Sequence, residues 1–234
     1  MPTSNCLTNQ GRTDFSVTVL PFEANGVIAA KGFVPDPSVT SATADILIGD
    51  FRSISYISNM TNRITLDNFV FGLKDLLAIP RDGQDDAITC SEYTGVSLYV
   101  NQGGGVSFET LELDSEIGCV AVAAQILNGK RRIYIANDVE REVYVLQETT
   151  TNSFTTTSIA SVYLPTKMVV SDIDLDSFPD IVLLYSTTYV GVIWGSGSNS
   201  WLPISLISEV DNPSALVVRE ALFHSSSPCT FFRL

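Results

Sequence analysis

Short aliphatic runs separated by polar intervals recur along the whole chain. A first run occupies 27–30, 76–79, 120–123, 168–170 and 216–218, and a second occupies 44–48, 85–89, 131–135, 179–183 and 228–232. With Asp45, Asp86, Arg132, Asp180 and Cys229 taken as equivalent, the steps are 41, 46, 48 and 49 residues. A third run (54–57, 95–100, 142–146, 191–194) follows the second. A fourth opens on an aromatic residue in four of the five units, at Phe15, Phe108, Phe154 and Trp201. These segments are short, rich in β-branched and aromatic residues, and bounded by Gly, Asn, Ser and Pro, which predicts strands. No longer stretch keeps the 3.6-residue period of a helix.

Four short strands in roughly 45 residues predict the blade of a β-propeller, an all-β fold that handles its sheet edges by radial repetition. The units run over about 22–66, 67–113, 114–160, 161–209, and 210–234 together with 1–21. Residues 6–11 align with the third run of the second unit, and 230–234 fall on a second run. Two strands from each end would then complete a shared fifth blade in one domain spanning 1–234. The competing reading is a piece of a larger propeller cut at matching points. If the ring closes, Cys6 and Cys229 fall on neighbouring strands, where they either bridge or stay as buried thiols; Cys90 and Cys119 read as core residues.

Charge narrows the chemistry. The 234 residues carry 26 acidic and 13 basic side chains, a formal charge of −13. Such a surface repels phosphate backbones and anionic lipid heads, so neither nucleic-acid binding nor membrane insertion is expected, while cations become plausible ligands. No apolar run approaches the ~20 residues of a spanning helix, and the first six residues show no secretory signal. The four cysteines lack zinc-ligand spacing. One histidine, His224, cannot by itself assemble a triad or a multi-histidine metal site, and no nucleophile elbow or phosphate loop appears.

The strongest local signal is Asp172-Ile173-Asp174-Leu175-Asp176-Ser177-Phe178-Pro179-Asp180, between the first and second runs of the fourth unit. Carboxylates at positions 1, 3, 5 and 9 repel one another unless a cation lies among them. With the carbonyl of Phe178 they make a hard-oxygen set of the kind Ca²⁺ prefers. The alternative is an Asp-rich turn that caps its hairpin without metal. The second unit keeps Asp82, Gly83 and Asp86 at positions 5, 6 and 9, which makes Asp82 and Asp86 a weaker candidate. Arg132 replaces the ninth carboxylate of the third unit and excludes a cation there.

The pattern D-x-D-x-D-x-x-x-D between two strands of a ~45-residue β unit resembles the FG-GAP/VCBS repeats of integrin-α-like propellers. The resemblance implies a structural Ca²⁺ held by Asp172, Asp174, Asp176, the Phe178 carbonyl and Asp180. Position 6, where that family has Gly, is Ser177 here. It also implies a non-enzymatic recognition module with protein or carbohydrate partners, of the cell-adhesion kind, in an extracellular or cell-surface setting. A lectin with sugars between blades is the alternative, and a propeller hydrolase or lyase the second. Arg131, Arg132 and Arg141 read as a solvated basic spot, and Asn59-Met60-Thr61 as a formal glycosylation sequon.

Overall fold

The computed structural model describes residues 4–9, 15–20, 29–33, 45–49, 52–58, 62–81, 84–103, 107–116, 118–163, 165–185, 189–197, 200–209, 217–220 and 230–233. Among them every regular element is a β-strand, and all pairing is antiparallel where a register is defined. β1 (Ser4–Asn9) and β2 (Phe15–Leu20) form a two-stranded sheet. β3 (Ala29–Phe33), β4 (Asp45–Gly49), β5 (Ile54–Ser58) and β6 (Asn62–Asp67) form a four-stranded sheet in chain order. So do β7 (Leu73–Arg81), β8 (Gln84–Ser91), β9 (Gly95–Asn101) and β10 (Phe108–Asp114), and likewise β11 (Cys119–Leu127), β12 (Lys130–Asn137), β13 (Glu142–Thr150) and β14 (Ser153–Ser161).

The next sheet joins β15 (Pro165–Ser171), β16 (Asp180–Tyr185), β17 (Tyr189–Ile193) and β20 (Ser205–Glu209), with β18 (Gly195–Gly197) and β19 (Ser200–Trp201) as a separate ribbon. β21 (Val217–Glu220) pairs with β22 (Thr230–Arg233). The repeat read from the sequence therefore appears as blade-like antiparallel sheets. One detail differs. Trp201 does not open the fourth strand of its sheet; it lies in the ribbon, and the outer strand begins at Ser205. The tight Gly195–Trp201 pairing uses the aromatic before the outer strand starts.

The chain divides into two compact units, Met1–Thr89 with Ser97–Glu112, and Cys90–Val96 with Leu113–Leu234. In the first, β3 lies against β7, and Leu47, Ile54, Tyr56, Leu73, Leu76, Ala87 and Tyr99 form a buried cluster. In the second, β11 lies against β15 and β15 against β21. The small side chains Ala121, Ala123 and Ala136 pack there with Tyr134, Val143, Met168, Ile181 and Leu183. Alanines on β11 let neighbouring first strands approach closely, as an inner strand requires. The mixture of buried and more exposed positions on β7 and β13 contrasts with the unbroken burial of β16, whose two faces are both covered.

Cys90, at the end of β8, and Cys119, at the start of β11, form a disulfide with Cα atoms 5.5 Å apart. Both are core residues, as expected, and are also bonded to each other. The Cys6–Cys229 pairing and the Asn59 sequon lie outside the described residues.

Candidate cation site

Hairpin length decides where there is room for a loop of carboxylates. In the sheet of β11–β14 the first two strands pair down to Leu127 and Lys130, leaving a two-residue turn, Asn128-Gly129, with φ of 53° and 72°. Positive φ at both positions is the turn that matches the strand twist, and Asn-Gly is its preferred sequence. Only residues 82 and 83 separate β7 from β8, so the second unit has no room for a nine-residue loop, and Asp86 is a residue of β8. Between β15 and β16, by contrast, the chain leaves the ladder for residues 172–179.

In that loop the carboxylates of Asp172, Asp174 and Asp176 are gathered, with one oxygen of each within 4.8 Å of the others. Two oxygens on one Ca²⁺ at ~2.3–2.6 Å stand at most about 5 Å apart, so the spacing fits a shared ion. The same carboxylates also organise the backbone. Asp172 accepts the N–H groups of Asp176 (3.1 Å) and Ser177 (2.9 Å), Asp174 accepts that of Asp176 (3.2 Å), and Asp176 accepts that of Phe178 (2.8 Å). Curling the loop this tightly puts Leu175 and Ser177 in the left-handed region, at φ 64° and 73°. Both pay a steric penalty that glycine would not.

Asp180 stands at the loop's base and outside the cluster of three. It is fully buried, accepting the N–H of Ile173 at Oδ2 (2.8 Å) and that of Gly195 at Oδ1 (2.9 Å). Burial raises its carboxyl above the usual carboxylate range, the two backbone donors oppose that rise, and the negative charges of Asp174 and Asp176 add to it. Each oxygen retains a second lone pair. Gly195 is required beside it, because a Cβ there would lie 2.5 Å from the Pro179 carbonyl.

The weaker candidate is arranged differently. Asp82 lies outside the described residues. Asp86 is fully buried and accepts the N–H of Asn101 at 2.9 Å, while Arg81 Nε lies 3.1 Å from its Oδ2, an ion pair without an aligned hydrogen bond. A guanidinium from β7 thus stands next to this carboxylate. In the sheet of β11–β14 Arg131 and Arg132 are 2% and 3% exposed, which overturns the solvated basic spot expected from sequence. Arg131 is held by Glu148 at 2.6 Å and lies over the Phe154 ring at 5.5 Å; only Arg141 of the three is exposed. The signal for this burial was the alternating acid at Glu148, directly across the hairpin.

Among the described residues no nucleophile is paired with a base and no catalytic cluster is evident; His224 lies outside them. Among the same residues no helix is long and apolar enough to cross a membrane.

No family model and no curated protein matches the chain. Solved structures do. The chain is similar to BBS1N in complex with ARL6DN, with a TM-score of 0.64 and 10% identity over 98% of this chain and 74% of that one. It is also similar to the Aleuria aurantia lectin AAL in complex with Fucα1-6GlcNAc, with a TM-score of 0.56 and 14% identity over 97% and 79%. At these identities the likeness is one of fold: a multi-sheet, β-propeller-like scaffold.

Proposed function

We propose that the chain is a non-enzymatic recognition module of the FG-GAP/VCBS kind: a single propeller domain, with the termini sharing a blade, stiffened by one structural Ca²⁺. The observation that carries this reading is the convergence of Asp172, Asp174 and Asp176 in the one long first-to-second-strand loop described. The Phe178 carbonyl and the remaining lone pairs of Asp180 would complete an oxygen set suited to calcium. With its carboxylates in coordination the ion is structural, fixing the β15–β16 hairpin.

The partner is a protein or a carbohydrate. Of the two similar structures named above, one is complexed with a protein and the other with a sugar, which supports a binding role of either kind. The lectin reading draws less support from the tryptophans: Trp201 packs edge-on against Tyr134 at 5.9 Å between centroids, which occupies part of the ring. An extracellular or cell-surface setting accords with the Cys90–Cys119 disulfide and with calcium levels there.

The test is thermal melting with calcium and with chelator. Calcium is expected to raise the Tm of the native chain and to leave Asp176→Ala unmoved. An equal rise in both proteins would refute the site, and a glycan array separates the two partner classes.

A further inference from the structure

At the opposite end of the sheets from the cation loop, several turns are tied together by backbone hydrogen bonds. Gly118 N–H donates to the Glu92 carbonyl (2.9 Å), Asp138 N–H to the Gly118 carbonyl (2.9 Å), and Val162 N–H to the Arg141 carbonyl (2.8 Å). Side chains fix the turns themselves. Ser91 Oγ accepts the N–H groups of Tyr93 and Thr94, and Asn137 Oδ1 accepts those of Val139 and Glu140. This rigid rim nevertheless holds three large apolar side chains in solvent: Tyr93 is 59% exposed, Val139 62% and Tyr163 59%. Ordered turns that expose apolar groups lose little entropy when a partner covers them.

The rim is also strongly acidic. Its segments 90–96, 113–118, 138–142 and 162–163 contain six carboxylates and one basic residue, Arg141, against two to one for the chain as a whole. That one guanidinium lies 5.1 Å from the centre of the Tyr163 ring. A cation on an exposed aromatic face is the contact that an incoming arginine or lysine would make.

We propose that this rim docks a basic peptide segment of a partner protein, with Lys or Arg side chains among the carboxylates and apolar side chains on Tyr93, Val139 and Tyr163. Charge selects this occupant. A second copy of the chain would bring like-charged rims together, and a neutral glycan brings no positive charge to match six carboxylates. The proposal rests on the binding reading above and not on calcium, so the melting experiment can fail without touching it.

The test is fluorescence-anisotropy titration of the whole chain with a labelled short peptide of alternating Arg/Lys and Tyr/Leu, beside an otherwise identical Glu/Asp peptide, in calcium and in chelator. The basic peptide is expected to bind at micromolar concentrations in both and to weaken at least about tenfold between about 50 mM and about 300 mM salt. Tyr163→Ala is expected to weaken it about tenfold, with Tyr163→Phe close to native. The double reversal Glu116→Lys with Glu140→Lys should weaken it by at least about tenfold, and the reversal Glu109→Lys with Glu112→Lys on β10, of equal net charge, by less than about twofold. Circular dichroism checks that each variant folds. No binding, equal binding of the acidic peptide, equal loss in both reversals, or displacement of the peptide by a neutral glycan would each overturn the proposal.

Discussion

Asp86 and Asp180 hold equivalent places in two sheets: each is fully buried and accepts, through Oδ1 at 2.9 Å, the backbone N–H of the residue fifteen further on, Asn101 and Gly195. Their second oxygens differ. Oδ2 of Asp86 faces the Arg81 guanidinium at 3.1 Å, whereas Oδ2 of Asp180 accepts the Ile173 N–H beside a loop of further carboxylates. One sheet thus carries its own cation, and the other concentrates negative charge where an external cation fits.

Asp86→Ala takes an acceptor from the buried Asn101 N–H and a counter-charge from Arg81 in one step. Removing one partner of a buried charged pair costs about 3 kcal/mol, well above the loss from an exposed acid. Urea unfolding is expected to show that cost for Asp86→Ala and less than about 0.5 kcal/mol for Glu112→Ala on the exposed side of β10. Equal costs would mean that the buried carboxylate contributes nothing specific.

Ser177 adopts φ 73°, a conformation in which Cβ crowds the backbone. Glycine removes that penalty but gives the unfolded chain more freedom, so the net effect of Ser177→Gly is a gain of roughly 0.5 kcal/mol. The same change frees the loop to close on an ion, so the calcium-induced rise in Tm should grow. Differential scanning calorimetry with and without calcium checks both signs; Leu175→Gly, at φ 64°, is expected to behave alike.

The strand repeat was legible because each sheet buries a recurring set of aliphatic positions, and a β-strand advertises itself by such runs. The Asp172–Asp176 spacing was legible because like charges at alternate positions need a reason. What stayed hidden depended on pairing across turns. Arg131 looks like surface charge until Glu148 is brought opposite it. Cys90 and Cys119 look like two small hydrophobes, although one ends a second strand and the other begins the next unit's first strand, the same end of successive sheets. Exposure of Tyr93 follows from the turn that Ser91 caps, which composition does not encode.

That disulfide closes a segment with a sequence separation of 29 residues between sites that are 0% and 1% exposed. Chain-entropy arithmetic for a loop of this size gives about 3–4 kcal/mol of stabilisation. Cys90→Ala with Cys119→Ala should lower the unfolding free energy by a similar amount and remove the part of the reductant response that this bond carries. Reductant should destabilise the native chain only after unfolding exposes the buried sulfurs, so melts in dithiothreitol are expected to depend on incubation time.

Glu148 supplies an acid-sensitive element that is independent of the cation loop. Burial by itself would raise its carboxyl, but the Arg131 side chain, the Arg131 N–H and the Asn152 N–H outweigh burial and hold it at about 2. An unfolded glutamate titrates near 4.3, so the folded form binds its proton less tightly, and stability is full above that value and lost as pH falls towards 2. The contribution is about 3 kcal/mol by linkage. Glu148→Gln removes this titration and deprives Arg131 of its carboxylate, so its urea midpoint should be lower at pH 7 and should change less between about pH 4.5 and about pH 2. Two parallel acid limbs, native and variant, would assign the acid sensitivity to other carboxylates.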